Sequence, residues 1–278
     1  HMKTWNVIIG CILAIVSLVV SRIGAELAAG LVFMLGAPMF LCNILAGILY
    51  IFFAYLLVKL LSNKFIRTSM KEVSIPRVSI KGRWIVVAIC FPLIVTGIYL
   101  ILPGTFVSSG MDRENILNTV SAGVVFNSLA AGIVEEMVFR GIIRNLLAKR
   151  WNTAISIVLP SVLFAAVHLI GQSFNPVSSI LVLIGGTLVG CMFSVIAIDS
   201  DSIWNSAIVH VLWNAVILGF GFYIGGSANN DAIMSYVLET KSLLLTGGQF
   251  GVETAVIAIV GYCVVAFLAI LWRKKQKV

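Results

Sequence analysis

Apolar and polar positions alternate along this chain on the scale of whole helices rather than of single turns. Runs of mainly apolar residues, about 20 long as a bilayer crossing requires, recur at Trp5–Val20, Ala37–Leu61, Trp84–Pro103, Ile116 to about Arg150, Thr153–Ile170, Val177–Ile198, Ile203–Ile224 and Gly251–Trp272. The pattern predicts an all-α fold, a polytopic membrane helix bundle of about eight transmembrane helices in a single integral membrane domain over residues 1–278. A Gly/Ala-rich stretch, Gly24–Gly36, reads either as a re-entrant piece or as an extension of the first helix. Asn229–Leu245 carries Ile233, Val237 and Leu238 at helical spacing, which predicts a helix resting on the outer surface. Ser62–Gly82 is basic with interspersed Phe65, Ile66, Met70, Val73 and Ile75. It reads either as a segment at headgroup level that attracts anionic lipid or as a solvated loop.

Composition strengthens this picture. Of 278 residues, 60% are hydrophobic and 11% charged, against about a quarter charged in soluble domains, and the mean hydropathy is +1.08. The net charge of +8 points to membrane lipid and not to nucleic acid, because the basic residues cluster between apolar runs. Lys64, Arg67, Lys71, Arg77, Lys81 and Arg83 crowd the second connection, Arg144, Lys149 and Arg150 the fourth, and Arg273, Lys274, Lys275 and Lys277 the tail. With an even number of crossings these fall on one side together with Lys3, and the positive-inside rule makes that side the cytoplasm. A multi-pass cell-membrane protein with both termini cytoplasmic follows. The connections around Asp112-Arg113-Glu114, Gly171–Pro176 and Gly225–Phe250 carry little net charge. His1-Met2 reads as a cloning scar and the first run as a retained helix rather than a signal peptide. Cys11, Cys42, Cys90, Cys191 and Cys263 lie in apolar runs without a CxxC or Cys/His cluster, so they read as small hydrophobes rather than as disulfides or metal ligands.

Against this background, Glu135-Glu136 and Arg140 stand inside an apolar run, as do His168 and His210. Ionisable groups there are expensive and mark function by default. If the chain reverses at Arg150–Thr153, Glu135 and His168 lie equidistant from the turn, each about 25 Å along its helix. They are expected to meet at one depth. Phe164 and His168 share a helix face, as do His210 and Asn214, and Glu136 and Arg140 form an i,i+4 pair. His210 and Asn214 are expected at a shallower level, about 14 to 20 Å along the seventh helix, unless that helix is tilted or starts late.

Glu135 is the hardest of these to dismiss. A desolvated Glu is a better general base near neutral pH, an adjacent His can help orient and deprotonate a water, and a second His and an Asn amide can stabilise an oxyanion. The structural alternatives are a carbonyl-bonded His, Asn214 as helix–helix glue, Phe164 as packing, and Glu136–Arg140 as a buried ion pair. HExxH and G-x-S-x-G are absent, and no aspartate lies deep in a span, Asp199 and Asp201 sitting at a connection. A zinc held by His168, His210 and Glu135 is chemically open.

Glu135-Glu136-x-x-x-Arg140, Phe164-x-x-x-His168 and His210-x-x-x-Asn214 resemble the three motifs of the CPBP family, which takes in the type II CAAX prenyl endopeptidases and the bacteriocin-processing or immunity proteins. The resemblance covers roughly Asn127 to Leu218. It implies an intramembrane protease of the glutamate type acting on a peptide or membrane-protein substrate, without a cofactor or, in the alternative, with zinc. By resemblance, Glu135 and His168 activate the water, His210 and Asn214 form the oxyanion site, and Glu136 and Arg140 belong to the first motif. A non-catalytic immunity or regulatory partner on the same fold is the competing expectation. A transporter is the third, weakened by the lack of a motif repeat.

Overall fold

Along the first helix small residues face inward and large aliphatic ones outward, the reverse of a soluble protein. In the computed structural model, which describes residues 3–170 and 175–275, the first helix α1 (Thr4–Met34) buries Gly10, Ala14, Ser17, Ser21, Ala25 and Ala29. It exposes Ile8, Ile12, Val16, Val19, Ile23 and Leu27. In lipid nothing drives large apolar side chains inward, and small ones let helices approach closely. Most of Gly24–Gly36 thus extends α1 as continuous helix. The reading of His1 as a scar, most of the Gly171–Pro176 connection and Lys277 of the tail lie outside the described residues.

The chain continues through α2 (Met39–Leu60) with a π turn at Leu61–Ile66, then α3 (Gly82–Ile101), strand β1 (Gly104–Ser108) and the long α4 (Arg113–Ala148). After these come α5 (Thr153–Val167), α6 (Pro176–Ser200), α7 (Ile203–Gly219), strands β2 (Phe222–Gly225) and β3 (Met234–Leu238), a 3₁₀ segment Gly248–Thr254 and α8 (Val256–Lys275). Among the described residues six helical segments are long and apolar enough to cross a membrane, and α5 and α7 are shorter apolar helices. This is a multi-pass, helical membrane protein.

The helix expected over Asn229–Leu245 is a correction. Residues 234–238 form the middle strand of a three-stranded sheet, antiparallel to β1 and parallel to β2. The apolar spacing was ambiguous, and pairing on both edges satisfies the backbone of a segment containing Tyr236 and Val237 better than an unpartnered surface helix would. Only Leu243–Thr246 forms one helical turn.

Ser62–Gly82 is not a solvated loop throughout. Val73, Ser74 and Ile75 are buried. Ser74, in the left-handed region at φ 59°, receives hydrogen bonds on its hydroxyl from Arg144 Nη2 (2.9 Å) and Asn145 Nδ2 (3.1 Å). Its carbonyl accepts from Ile203 N (2.9 Å), Pro76 O accepts from Trp204 Nε1 (2.7 Å), and Asn205 Oδ1 accepts from Lys81 N (2.9 Å). This insert ties the end of α4 to the start of α7.

The cysteines are free, as read, but Cys90 and Cys263 are exposed on outward helix faces rather than buried. Asp199 closes α6 against Arg83 (2.6 Å) and Trp84 (3.3 Å).

Candidate active site

Helix α4 carries the acidic pair through a region where its hydrogen bonding changes register. Ala122–Ala130 and Glu136–Ile143 are π-helical and flank the α-helical turn Ala131–Glu135. Such widened turns gather at functional sites. Glu136 and Arg140 come out fully buried, with Arg140 Nη1 3.1 Å from Glu136 Oε1. The guanidinium carbon stands 4.5 Å from the Phe164 ring centroid and 5.2 Å from that of Phe193. Among the described residues no directed hydrogen bond reaches the Arg140 nitrogens, and charge and ring faces hold the cation.

Glu136 has two further partners. Its Oε2 accepts from Ser206 Oγ (2.7 Å), and its Oε1 lies 3.0 Å from His210 Nδ1. An ionised carboxylate only accepts, so His210 carries its proton on Nδ1 and turns Nε2 toward Glu135, whose Oε2 is 3.6 Å away. Phe193 stacks on the imidazole at 4.4 Å and fixes the ring plane. That 3.6 Å gap exceeds a hydrogen bond, as often happens in catalytic pairs before substrate arrives.

Glu135 and His168 line one cavity, and the imidazole that stands 3.6 Å from Glu135 is that of His210. The level of His210 is set by the insert: α7 begins at Ile203, as expected, but Ile203 N and Arg144 Nη2 both bond Ser74, which puts the start of α7 beside the end of α4. His210 and Glu135 then lie about 10 to 14 Å from those anchors at 1.5 Å per residue. His168 caps the C-terminus of α5 and is exposed rather than buried. Its Nδ1 donates to Phe164 O (2.7 Å), leaving the Nε2 lone pair free. Phe164 packs as read, 4.6 Å from the His168 ring and 5.8 Å from the His210 ring. Asn214 Nδ2 donates to Asn127 O at 3.3 Å.

One cavity of about 470 Å³ is lined by Glu135, Phe164, His168, His210 and Asn214 together, whereas Glu136 and Arg140 sit behind its wall. Residues 117–216 match the family model for the Type II CAAX prenyl endopeptidase Rce1-like proteins. The match supports the likeness of this segment to the CPBP family. No curated protein and no solved structure matches the chain. The Rce1-like domain spans all seven motif residues, and its family is one of intramembrane CAAX-type proteases.

Two charged cavity residues escaped the sequence reading. Arg22 of α1, paired with Glu26 at 3.1 Å, and Glu253 of the 3₁₀ segment both line the cavity. Both lie outside the Rce1-like domain. A charge inside an apolar run was the signal that could have found them.

Among the described residues, no three of His, Cys, Asp and Glu gather as a set able to hold a metal ion. The zinc alternative, His168 and His210 with Glu135, therefore finds no built ligand set.

Proposed function

We propose that the protein is an intramembrane endopeptidase of the glutamate type that hydrolyses a peptide bond of a membrane-associated peptide or protein. The observation that carries the reading is the order Arg140, Glu136, His210, Glu135, which leads from a fully buried ion pair to a carboxylate on a cavity wall. Glu135 takes a proton from a cavity water whose oxygen attacks the scissile carbonyl carbon. His168, with its Nε2 lone pair free, accepts a hydrogen bond from that water and orients it. The proton passes to His210 Nε2, and the imidazolium so formed is stabilised by Glu136 through Nδ1. It donates to the oxyanion and then releases the proton to the leaving amine. Asn214 supplies a second donor. His210 serves the oxyanion only in its protonated state, since its neutral tautomer has no hydrogen on Nε2.

The test is cleavage of a membrane-associated peptide by purified protein in liposomes. Glu135→Gln is expected to reduce kcat by about 10²–10⁴-fold with unchanged thermal melting. Full activity in that variant refutes the assigned base. Cleavage that stops in chelator and returns with stoichiometric zinc would replace this mechanism with a metal-dependent one.

A further inference from the structure

A second carboxylate reaches the cavity, from beyond the matched segment, and its backbone is tightly built. Glu253 sits in the 3₁₀ segment Gly248–Thr254. Gly247, Gly248 and Gly251 precede it at positive φ, conformations that favour glycine. Thr254 Oγ1 donates to Gly247 O (2.9 Å) and Gly251 O (3.2 Å), and Tyr262 Oη donates to Glu253 O (2.7 Å). Gly251 lies so close to β2 that an added Cβ would stand 2.9 Å from the Tyr223 ring. At Gly185 of α6 an added Cβ would stand 3.2 Å from Thr254 Cα. Sheet and helix thus clamp one short turn whose carboxylate lines the same cavity as Glu135 and both histidines.

The charges around the cavity do not balance. Glu136 is answered by Arg140 and Arg22 by Glu26. Glu135 and Glu253 remain, facing two imidazoles whose Nδ1 hydrogens are already committed to Phe164 O and Glu136. Among the described residues the Glu253 side chain has no hydrogen bond or ion pair, although it lies within Coulombic reach of His168, His210 and Glu135. Two carboxylates in an apolar enclosure repel each other, and a cation placed between them relieves that repulsion.

We propose that Glu253 is a specificity-determining residue that receives a cationic group of the substrate, a Lys or Arg side chain or a free amine, beside the scissile bond. The proposal rests on the peptidase reading of the cavity, so its test includes a binding arm that needs no turnover. The probes are dye-labelled Ala/Leu peptides carrying one Lys at successive positions, each with a norleucine counterpart, presented to protein in liposomes. In the Glu135→Gln background, Lys at one or two positions is expected to tighten binding by about tenfold or more over norleucine. Glu253→Gln in the same background erases that difference, while continued binding of the norleucine peptide reports an intact cavity. With Glu135 present, Glu253→Gln lowers kcat/KM on the Lys peptide by a similar factor and on the norleucine peptide by much less. Equal binding of Lys and norleucine peptides at every position overturns the proposal. So does an equal fall in cleavage of both peptides, which would make Glu253 a partner of His168 in proton transfer. Cleavage surviving in Glu135→Gln would remove the assigned base and leave the binding comparison standing.

Discussion

At the scale of single residues, the site depends on a charge pair shut away from solvent. Glu136 and Arg140 are both fully buried, and removing one partner of such a pair strands the other at a cost of about 3–5 kcal/mol. Arg140→Met is therefore expected to lower stability by that amount in a thermal or denaturant melt. The double variant Glu136→Gln/Arg140→Met should recover much of the loss, because no uncompensated charge is left. The double variant should nevertheless lose activity, since it leaves no ionised acceptor behind His210 Nδ1. The i,i+4 spacing made this pair legible in the sequence, as did the shared face of Phe164 and His168. Ser206 and Phe193, which complete the setting of His210, were not legible. They arrive from α7 and α6 by tertiary packing, and no local pattern distinguishes them from other small or aromatic residues in apolar runs.

At the scale of elements, close backbone approach sets the width of the cavity. Gly123 of α4 faces Gly219 at the end of α7, and a Cβ added at Gly123 would run into the Gly219 carbonyl. Gly123→Ala must push the two helices apart near Asn127 and Asn214, which are joined by one long hydrogen bond. The expected result is a loss of about 1–3 kcal/mol in a melt, with a fall in kcat beyond what partial unfolding explains. The insert between α2 and α3 is held differently. Glu72 accepts from Ser69 N (2.8 Å) and from the Ser69 and Thr68 hydroxyls (2.8 and 2.9 Å). These hydrogen bonds, the Ser69 backbone N–H foremost, hold its carboxyl at about 2 against an ordinary 4.5. A lowered carboxylate contributes its stabilisation above the ordinary value and loses it as pH falls through the lowered one. Glu72→Gln should speed amide exchange at Ser69 near neutral pH, and the difference should shrink as the pH falls from about 4.5 to about 2. Hydrophobic run lengths predicted the helices well, because lipid demands them. The insert and the sheet were illegible for the opposite reason: short segments take their conformation from whatever covers them, so Val73–Ile75 looked like a loop and Met234–Leu238 like part of a helix.

At the scale of the whole molecule, the basic segments gather at one end of the bundle. Arg150 Nε lies 3.2 Å from Thr4 Oγ1, which brings the turn after α4 to the N-terminus. Arg144 meets Ser74 of the insert. The Arg83 guanidinium carbon stands 5.1 Å from the centroid of the Trp272 ring, next to Arg273. The three-stranded sheet follows the opposite ends of α3 and α7, and no such concentration of Lys and Arg occurs there. The gathering supports the orientation read from charge alone, with the basic end cytoplasmic, and it extends the proposal to the cavity. Glu135 and His210 sit within about 14 Å of the Arg144 and Ile203 anchors along their helices, so the assigned chemistry lies nearer the basic end of the bundle. Single cysteines in a cysteine-free background decide this in sealed cells with a membrane-impermeant maleimide. Lys149→Cys and Arg77→Cys should be labelled only after the cells are opened, whereas Ser109→Cys and Glu239→Cys should be labelled in intact cells. The inverse pattern would place the basic end outside and make an extracytoplasmic peptide the natural substrate. Labelling of both sets in intact cells would mean that the bundle end carrying the insert does not mark a single membrane face.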